Sequence, residues 1–95
     1  MSLSAVEKYY RVKEKRYALV RAAKSRPCAD CGIQYPYWVM QFDHVRGGKV
    51  AHIGALANGC AKGGTSFAKL LAEIAKCEIV CANCHADRTY RRVQA

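Results

Sequence analysis

Apolar side chains recur every three or four positions between Ser4 and Ser25, and this spacing predicts one long amphipathic helix. Ser4, with Glu7 three residues later, fits a capping box at the start of that helix. Pro27 is expected to end it, because proline restricts the preceding residue and has no backbone donor. The side chains expected to face the core are Val6, Tyr10, Tyr17 and Val20, with Tyr9, Val12 and Leu19 widening the stripe.

The middle of the chain has an extended pattern instead. Residues 37–42 are mostly aromatic or β-branched, which is typical of a strand, and they lead into Asp43 and His44. From Gly47 to Thr65 the chain is rich in glycine and is expected to be a loop, with a short helix near residues 52–57. A loop of this length inside a small domain usually has a function.

After the loop, the pattern predicts a helix, a strand and a last helix. The first of these helices begins at Ser66, the strand covers residues 78–80 and ends at Cys81, and the last helix runs from Ala82 to about Val93. The side chains expected to face inward from the two helices are Phe67, Leu70, Leu71 and Ile74, then Ala82, Ala86, Tyr90 and Val93. The opposite face of the last helix aligns His85, Arg88, Thr89 and Arg92.

Length and charge narrow the class of protein. The chain has 95 residues, enough for one domain, and its 16 Lys and Arg against 7 Asp and Glu give a net charge of +9. No apolar run approaches the ~20 residues that cross a bilayer, and the first residues lack the apolar core of a secretory signal. We therefore expect a cytoplasmic protein with no membrane partner. A small, strongly basic domain of this kind is typical of proteins that bind nucleic acid.

The predicted first helix carries most of the net charge. It has eight basic residues against Glu7 and Glu14, which accounts for +6 of the +9. Two interpretations remain open, because most charge runs are ordinary solvated surface, whereas a basic helix face can also bind nucleic acid or a partner.

Two close cysteine pairs predict a structural zinc site. Cys28 and Cys31 form one pair, and Cys81 and Cys84 form the other, about fifty residues later. Each pair can supply two corners of a tetrahedron of thiolates around Zn²⁺. Residues 81–85 also match the c-type haem attachment pattern, but that interpretation requires export and leaves the first pair unexplained.

Two further interpretations of the cysteines are weaker than zinc binding. A thioredoxin-like redox pair requires a βαβ pattern, which the sequence lacks. Cys77 could replace Cys81 as a ligand with a longer spacer, but we interpret Cys60 and Cys77 as non-ligands, and Cys77 as a small buried hydrophobe.

Three more residues are expected to meet near the zinc site. Asp43 and His44 end the first strand, and His85 follows a zinc cysteine at the start of the last helix. If zinc fastens the strand region to that helix, the three side chains come together. Taken singly, a histidine in such a position is more often structural.

Taken jointly, these motifs resemble the HNH endonucleases of the ββα-metal or His-Me finger superfamily, especially small zinc-containing members from phages and prophages. The resembling stretches are Cys-Ala-Asp-Cys-Gly at 28–32, Phe-Asp-His-Val at 42–45 with Gly-Lys at 48–49, residues 73–80, and Cys-Ala-Asn-Cys-His-Ala-Asp-Arg-Thr at 81–89. The resemblance implies two antiparallel strands, 39–44 and 78–81, with the helix from Ala82 packed across them. The expected fold is α+β, with a basic helix over residues 1–27 that belongs to the same domain as an HNH region over 28–95.

The resemblance also implies roles for the residues that match its motifs. His44 is expected to be the general base, and Asp43 and His85 are expected to bind a divalent ion, Mg²⁺, Mn²⁺ or another. The family's usual asparagine, which braces the general-base loop, is replaced here by Lys76, and Asn83 is the nearest candidate for that role. Arg88 and Arg92 share the His85 face and are expected to bind phosphates, in preference to Arg91.

The expected function is therefore hydrolysis of phosphodiester bonds in DNA, by nicking or by double-strand cleavage, in a zinc-built scaffold that uses a second ion for catalysis. The alternative is a zinc-stapled module that binds nucleic acid without cleaving it. The resemblance further suggests a homodimer or other phage DNA-processing proteins as partners, in the cytoplasm of a bacterial host.

Overall fold

A computed structural model of the protein describes residues 4–59 and 66–94. The fold is α+β and 60% helical, with one small sheet. The elements in chain order are helix α1 (Ala5–Lys24), a short 3₁₀ turn (Tyr37–Val39), strand β1 (Met40–His44), helix α2 (Ile53–Asn58), helix α3 (Phe67–Ala75), strand β2 (Cys77–Cys81) and helix α4 (Ala82–Gln94).

The two strands pair antiparallel, with Met40 opposite Cys81 and Asp43 opposite Glu78. The three longer helices and the short helix in the loop are confirmed, as are two strands. The start of the first strand differs, because residues 37–39 form the 3₁₀ turn and the strand begins only at Met40. No helix in the described part of the chain is both long and apolar enough to cross a membrane.

Helix α1 begins as predicted, because the Glu7 backbone N–H donates to Ser4 Oγ at 3.1 Å. Its first half differs from the prediction. Val6 and Tyr10 were expected in the core and are instead exposed, at 64% and 62% of their surface. Only the second half of α1 packs, through Leu19 and Val20, because helices α2 and α3 and strand β1 are too short to cover the whole of a 20-residue helix.

Arg16 is buried in the contact between α1 and α2, although its sequence position suggested a solvated charge. It is 6% exposed, and its Nε donates to the Ala57 carbonyl at 2.9 Å. Gly59 ends α2 in the left-handed region (φ 75°), and a Cβ there would lie 3.1 Å from Arg16 Nη2. Glycine at this position therefore gives both the turn and the room that the guanidinium needs.

The core consists of two clusters of buried residues, and strand β2 contributes to both. One contains the residues around the cysteine pairs, Cys28, Met40, Ile79, Val80 and Cys81. The other joins α2 and α3 to β2 through Ile53, Leu56, Leu70 and Cys77. Phe42 packs against both clusters. Cys77 is buried, which supports its interpretation as a small hydrophobe, while Cys60 lies outside the described residues.

Two predicted core faces are corrected by the structure. On α3, Leu70 is fully buried, but Phe67 and Leu71 remain about half exposed. On α4 the prediction is wrong, because Tyr90 and Val93 are 64% and 75% exposed. The face of α4 that packs against the strands is instead the polar one, because carboxylates on the strands and the first cysteine knuckle attract its arginines.

Candidate functional site

The four predicted zinc ligands come together. The sulfur atoms of Cys28, Cys31, Cys81 and Cys84 all lie within 4.8 Å of one another, so the cluster is able to hold a metal ion such as zinc. The cluster joins the segment before β1 to the junction between β2 and α4. Thiolate sulfur is the ligand type that zinc favours, so the donor set fits that ion.

Backbone amides favour the thiolate form of Cys28. The N–H groups of Cys81 and Asp30 donate to its Sγ at 3.3 and 3.4 Å. Burial opposes ionisation, but the backbone donors outweigh it and lower the pKa of Cys28 to about 6. At neutral pH one member of the cluster is thus already poised to bind a cation.

Asp43 is a buried carboxylate, 3% exposed, that faces α4. Arg92 donates two parallel hydrogen bonds to this carboxylate, from Nη1 to Oδ1 at 2.9 Å and from Nη2 to Oδ2 at 2.7 Å. Arg88 Nη1 adds a third bond to Oδ2 at 2.8 Å. The bonds from Arg92, reinforced by Arg88, lower the pKa of Asp43 to about 2 although burial opposes ionisation. Asp43 is therefore ionised at neutral pH, as a metal ligand must be.

Arg88 connects three parts of the molecule and was not predicted to do so. Besides Asp43, its guanidinium donates to both carboxylate oxygens of Asp30, at 2.7 and 2.6 Å, and to Glu78 Oε1 at 3.0 Å. Asp30 lies in the first cysteine knuckle, and Glu78 lies on β2. Arg88 thus holds α4 to both strands and the knuckle, and its contact with phosphate stays a prediction.

His85 presents one ring nitrogen toward Asp43. Its Nδ1 lies 2.6 Å from Gln41 Oε1, and its Nε2 lies 3.6 Å from Asp43 Oδ1. Since an amide oxygen can only accept, Nδ1 carries the hydrogen and the neutral ring leaves Nε2 free to bind a metal. Gln41 is a contributor that the sequence did not reveal, because its distance of 44 residues from His85 hides the pairing.

His44 is held from the other side of the strand, by helix α3. Its Nε2 lies 2.9 Å from Glu73 Oε2, and the side chain of Glu73 is only 4% exposed. Because the carboxylate accepts the Nε2 hydrogen, the neutral ring keeps Nδ1 as its basic nitrogen. That arrangement suits a residue that must take a proton from water.

Glu73 is the main residue that the sequence analysis missed. Besides His44, it accepts from the Val50 backbone N–H at 3.1 Å and from Lys76 Nζ at 2.9 Å. Burial opposes its ionisation, but Lys76 and the Val50 amide lower the pKa of Glu73. The resembling stretch at 73–80 includes Glu73, but no role was assigned to it, because a carboxylate on an amphipathic helix is usually solvated.

Lys76, which the resemblance to HNH endonucleases aligns with an asparagine, contacts the segment after His44. Its carbonyl accepts from the N–H groups of Val45 and Arg46 at 2.8 and 3.1 Å, and its Nζ donates to the Gly48 carbonyl at 2.8 Å. Asn83, by contrast, is exposed, and its side chain makes no hydrogen bond within the described residues. The bracing contacts therefore come from Lys76.

Asp43, His44 and His85 line one open cleft of about 380 Å³. Lys49 and Arg92 lie on its rim, with Phe42 and Gly47 completing the lining. We call it the histidine cleft. The structure thus brings together the three residues predicted to carry the chemistry, and it adds the supports Glu73 and Gln41 behind them.

Comparison with known proteins identifies no relative of this chain. No family model, no curated protein and no solved structure matches it. The function must therefore be argued from the site itself.

Proposed function

We propose that the protein is a divalent-metal-dependent endonuclease of the HNH type that hydrolyses phosphodiester bonds of DNA. The observation that carries this proposal is the meeting of Asp43, His44 and His85 in one cleft, with His44 hydrogen-bonded to Glu73 and His85 to Gln41. The basic composition of the chain, +9 overall, favours a polyanionic substrate.

In the proposed mechanism, His44 takes the proton of the attacking water on Nδ1 while its Nε2–H stays bonded to Glu73. Asp43 and His85 Nε2 would hold a divalent cation, and the phosphate would enter through the open side of the cleft. A bound divalent ion would polarise the scissile phosphate and stabilise the leaving oxygen. Zinc bound at the four cysteines would have a separate role, which is to keep α4, and with it His85, against the strands.

Plasmid cleavage tests this proposal. The zinc-loaded protein should convert supercoiled plasmid to nicked or linear forms with Mg²⁺ or Mn²⁺ and should leave it intact in EDTA. His44→Ala should retain zinc and circular dichroism but lose cleavage, because the general base is gone. Cleavage that survives in His44→Ala would exclude His44 as the base.

A second candidate function is favoured by the arginines on Asp43. With Arg88 and Arg92 bonded to its oxygens, Asp43 is neutralised by the chain's own cations. If these arginines stay in place when nucleic acid binds, the protein is a zinc-stapled binding module without catalysis. Intact plasmid with every divalent ion, together with salt-sensitive DNA binding, would select this function.

One centre of the proposed kind acts on one strand. Double-strand cleavage would thus require two copies or a partner, such as another DNA-processing protein of a phage in the bacterial cytoplasm. The molecular mass in solution, measured with and without DNA, distinguishes a monomer from a homodimer.

A further inference from the structure

A second opening lies beside the histidine cleft. It has a volume of about 200 Å³ and is bounded by Lys24 from α1 and by Lys49 and His52 from the segment before α2. We call it the lysine cleft. Phe42, His44 and Lys49 line both openings, so the two clefts form one continuous groove.

The lysine cleft is cationic and has no acidic group of its own. Among the described residues that line it, none is Asp or Glu. Lys49 Nζ lies 2.9 Å from His52 Nδ1, and among the described residues it forms no ion pair with a carboxylate. This contrasts with the cations elsewhere around the site, since Lys76 is paired with Glu73 and Arg92 with Asp43.

Lys24 is a partly buried cation with no carboxylate partner among the described residues. It is half-buried, and its ammonium lies 5.5 Å from the centre of the Phe42 ring. Within the described ranges it forms no ion pair, and burial lowers its pKa. A lysine that has lost hydration without gaining a carboxylate is stabilised when an anion binds beside it.

We propose that the lysine cleft binds a backbone phosphate that neighbours the scissile one on the same nucleic-acid strand. This inference rests on the proposed function for the identity of the strand. The strand then runs from the histidine cleft past Lys49, which borders both openings, to Lys24 at the end of α1. It gives the basic helix a definite role, because α1 delivers Lys24 to the groove.

Binding of a fluorescein-labelled DNA oligonucleotide to the zinc-loaded protein, measured by anisotropy at several salt concentrations without added Mg²⁺, tests the proposal. Lys24→Gln should weaken binding several-fold and reduce the slope of log K against log salt by about 1, as expected for one lost phosphate contact. Lys24→Arg should bind like the wild type, because it keeps the charge. Lys69→Gln, an exposed lysine outside both clefts, is the matched control for the loss of one charge.

The outcomes separate this inference from the proposed function. If Lys24→Gln and Lys69→Gln bind equally well with equal salt slopes, the lysine cleft is not a phosphate site, whatever the plasmid assay shows. If the wild type does not cleave but Lys24→Gln binds DNA more weakly than Lys69→Gln, the lysine cleft stands and the nuclease proposal fails. A wild type that binds no DNA overturns both.

Inorganic phosphate, titrated in a ³¹P NMR experiment, distinguishes a strand phosphate from a free anion. We expect only weak binding of free phosphate, since one cleft contributes a small part of the contacts that a strand makes. Tight phosphate binding that depends on Lys24, with DNA affinity independent of Lys24, would show that the cleft takes a free anion and would overturn the proposal.

Discussion

A hydrogen bond of 2.9 Å joins His44 Nε2 to Glu73 Oε2, across 29 residues of sequence. The carboxylate is itself held by Lys76 and by the Val50 backbone. Glu73 thus connects strand β1, helix α3 and the loop between β1 and α2 at the point where the proposed general base lies. In the proposed mechanism, this hydrogen bond would keep the basic nitrogen of His44 aimed at the attacking water before each reaction, which would avoid an entropic cost.

Glu73→Gln should reduce kcat for plasmid cleavage by roughly tenfold to a hundredfold while KM changes little, the range typical when a carboxylate behind a functional histidine is removed. Asp87→Asn, which removes an equal charge from an exposed ion pair with Arg91, is the matched control and should cleave normally. A Glu73→Gln protein with normal kcat and normal zinc content would show that this hydrogen bond does not position His44.

Arg92→Ala should bind Mn²⁺ more tightly than the wild type, because it removes the two hydrogen bonds that occupy both oxygens of Asp43. Calorimetric titration of the DNA-free protein measures the affinity. Arg91→Ala corrects for the general effect of removing a positive charge, since Arg91 is exposed and pairs with Asp87. Equal Mn²⁺ affinities in the two variants would mean that Arg92 does not compete with the ion.

Arg88→Lys should lower the free energy of unfolding by about 2 kcal/mol, because a lysine cannot replace a guanidinium that bonds Asp30, Asp43 and Glu78 at once. Most of the loss comes from buried Asp43, since Asp30 and Glu78 are partly exposed and water screens their charges. Urea denaturation of the zinc-loaded protein measures this change in the free energy of unfolding. The control variant Arg91→Lys should change the free energy of unfolding by less than about 0.5 kcal/mol. An equal loss in both variants would contradict the claim that Arg88 stabilises the fold by holding α4 to the strands and the knuckle.

One zinc ion per chain is expected, and its removal should unfold the region around the sheet. A strong chelator with a reductant should release the metal and reduce near-ultraviolet circular dichroism, because part of the core is built on Cys28 and Cys81. Cys28→Ser and Cys84→Ser should lose stoichiometric zinc, whereas Cys77→Ala should keep it. Full zinc binding by Cys84→Ser would contradict the four-cysteine assignment.

Cys77 should make the protein less stable in alkali. Burial, with the nearby charge of Glu73, raises the pKa of this thiol from its ordinary value near 9 to about 11. Between these pH values the unfolded chain loses the proton and the folded chain keeps it. The free energy of unfolding therefore falls as pH rises, by about 2–3 kcal/mol in total.

The measurement is the difference in unfolding free energy between the wild type and Cys77→Ala, each loaded with zinc. At pH 8 the wild type should be the more stable protein, because the alanine leaves a small cavity. The difference should narrow as the pH approaches 11. If the difference in unfolding free energy between the two proteins stays constant from pH 8 to about 11, the fold does not raise the pKa of the Cys77 thiol.

Much of this protein follows from local sequence spacing. The cysteine pairs come together and the cap at Ser4 forms as the sequence predicts, and helix α3 begins beside Ser66. Both strands are present, although the first begins three residues later than its pattern predicts. These features depend on residues a few positions apart, or on a ligand chemistry that only a few residue types can provide. The meeting of Asp43, His44 and His85 was predicted too, because the cysteine cluster brings the strand end and the last helix together.

Other features were decided only by contacts between distant segments. The expectation that the apolar face of a helix points to the core was wrong for α4. An apolar face packs inward only where it meets other apolar surface, and on α4 the contacts with the rest of the fold include those of Arg88 with Asp43 and Asp30. Glu73 behind His44 and Gln41 behind His85 were likewise invisible, each lying far along the chain from its histidine. Sequence patterning reports which side chains share an element, whereas the partner of a buried charge is set by what the fold places opposite it.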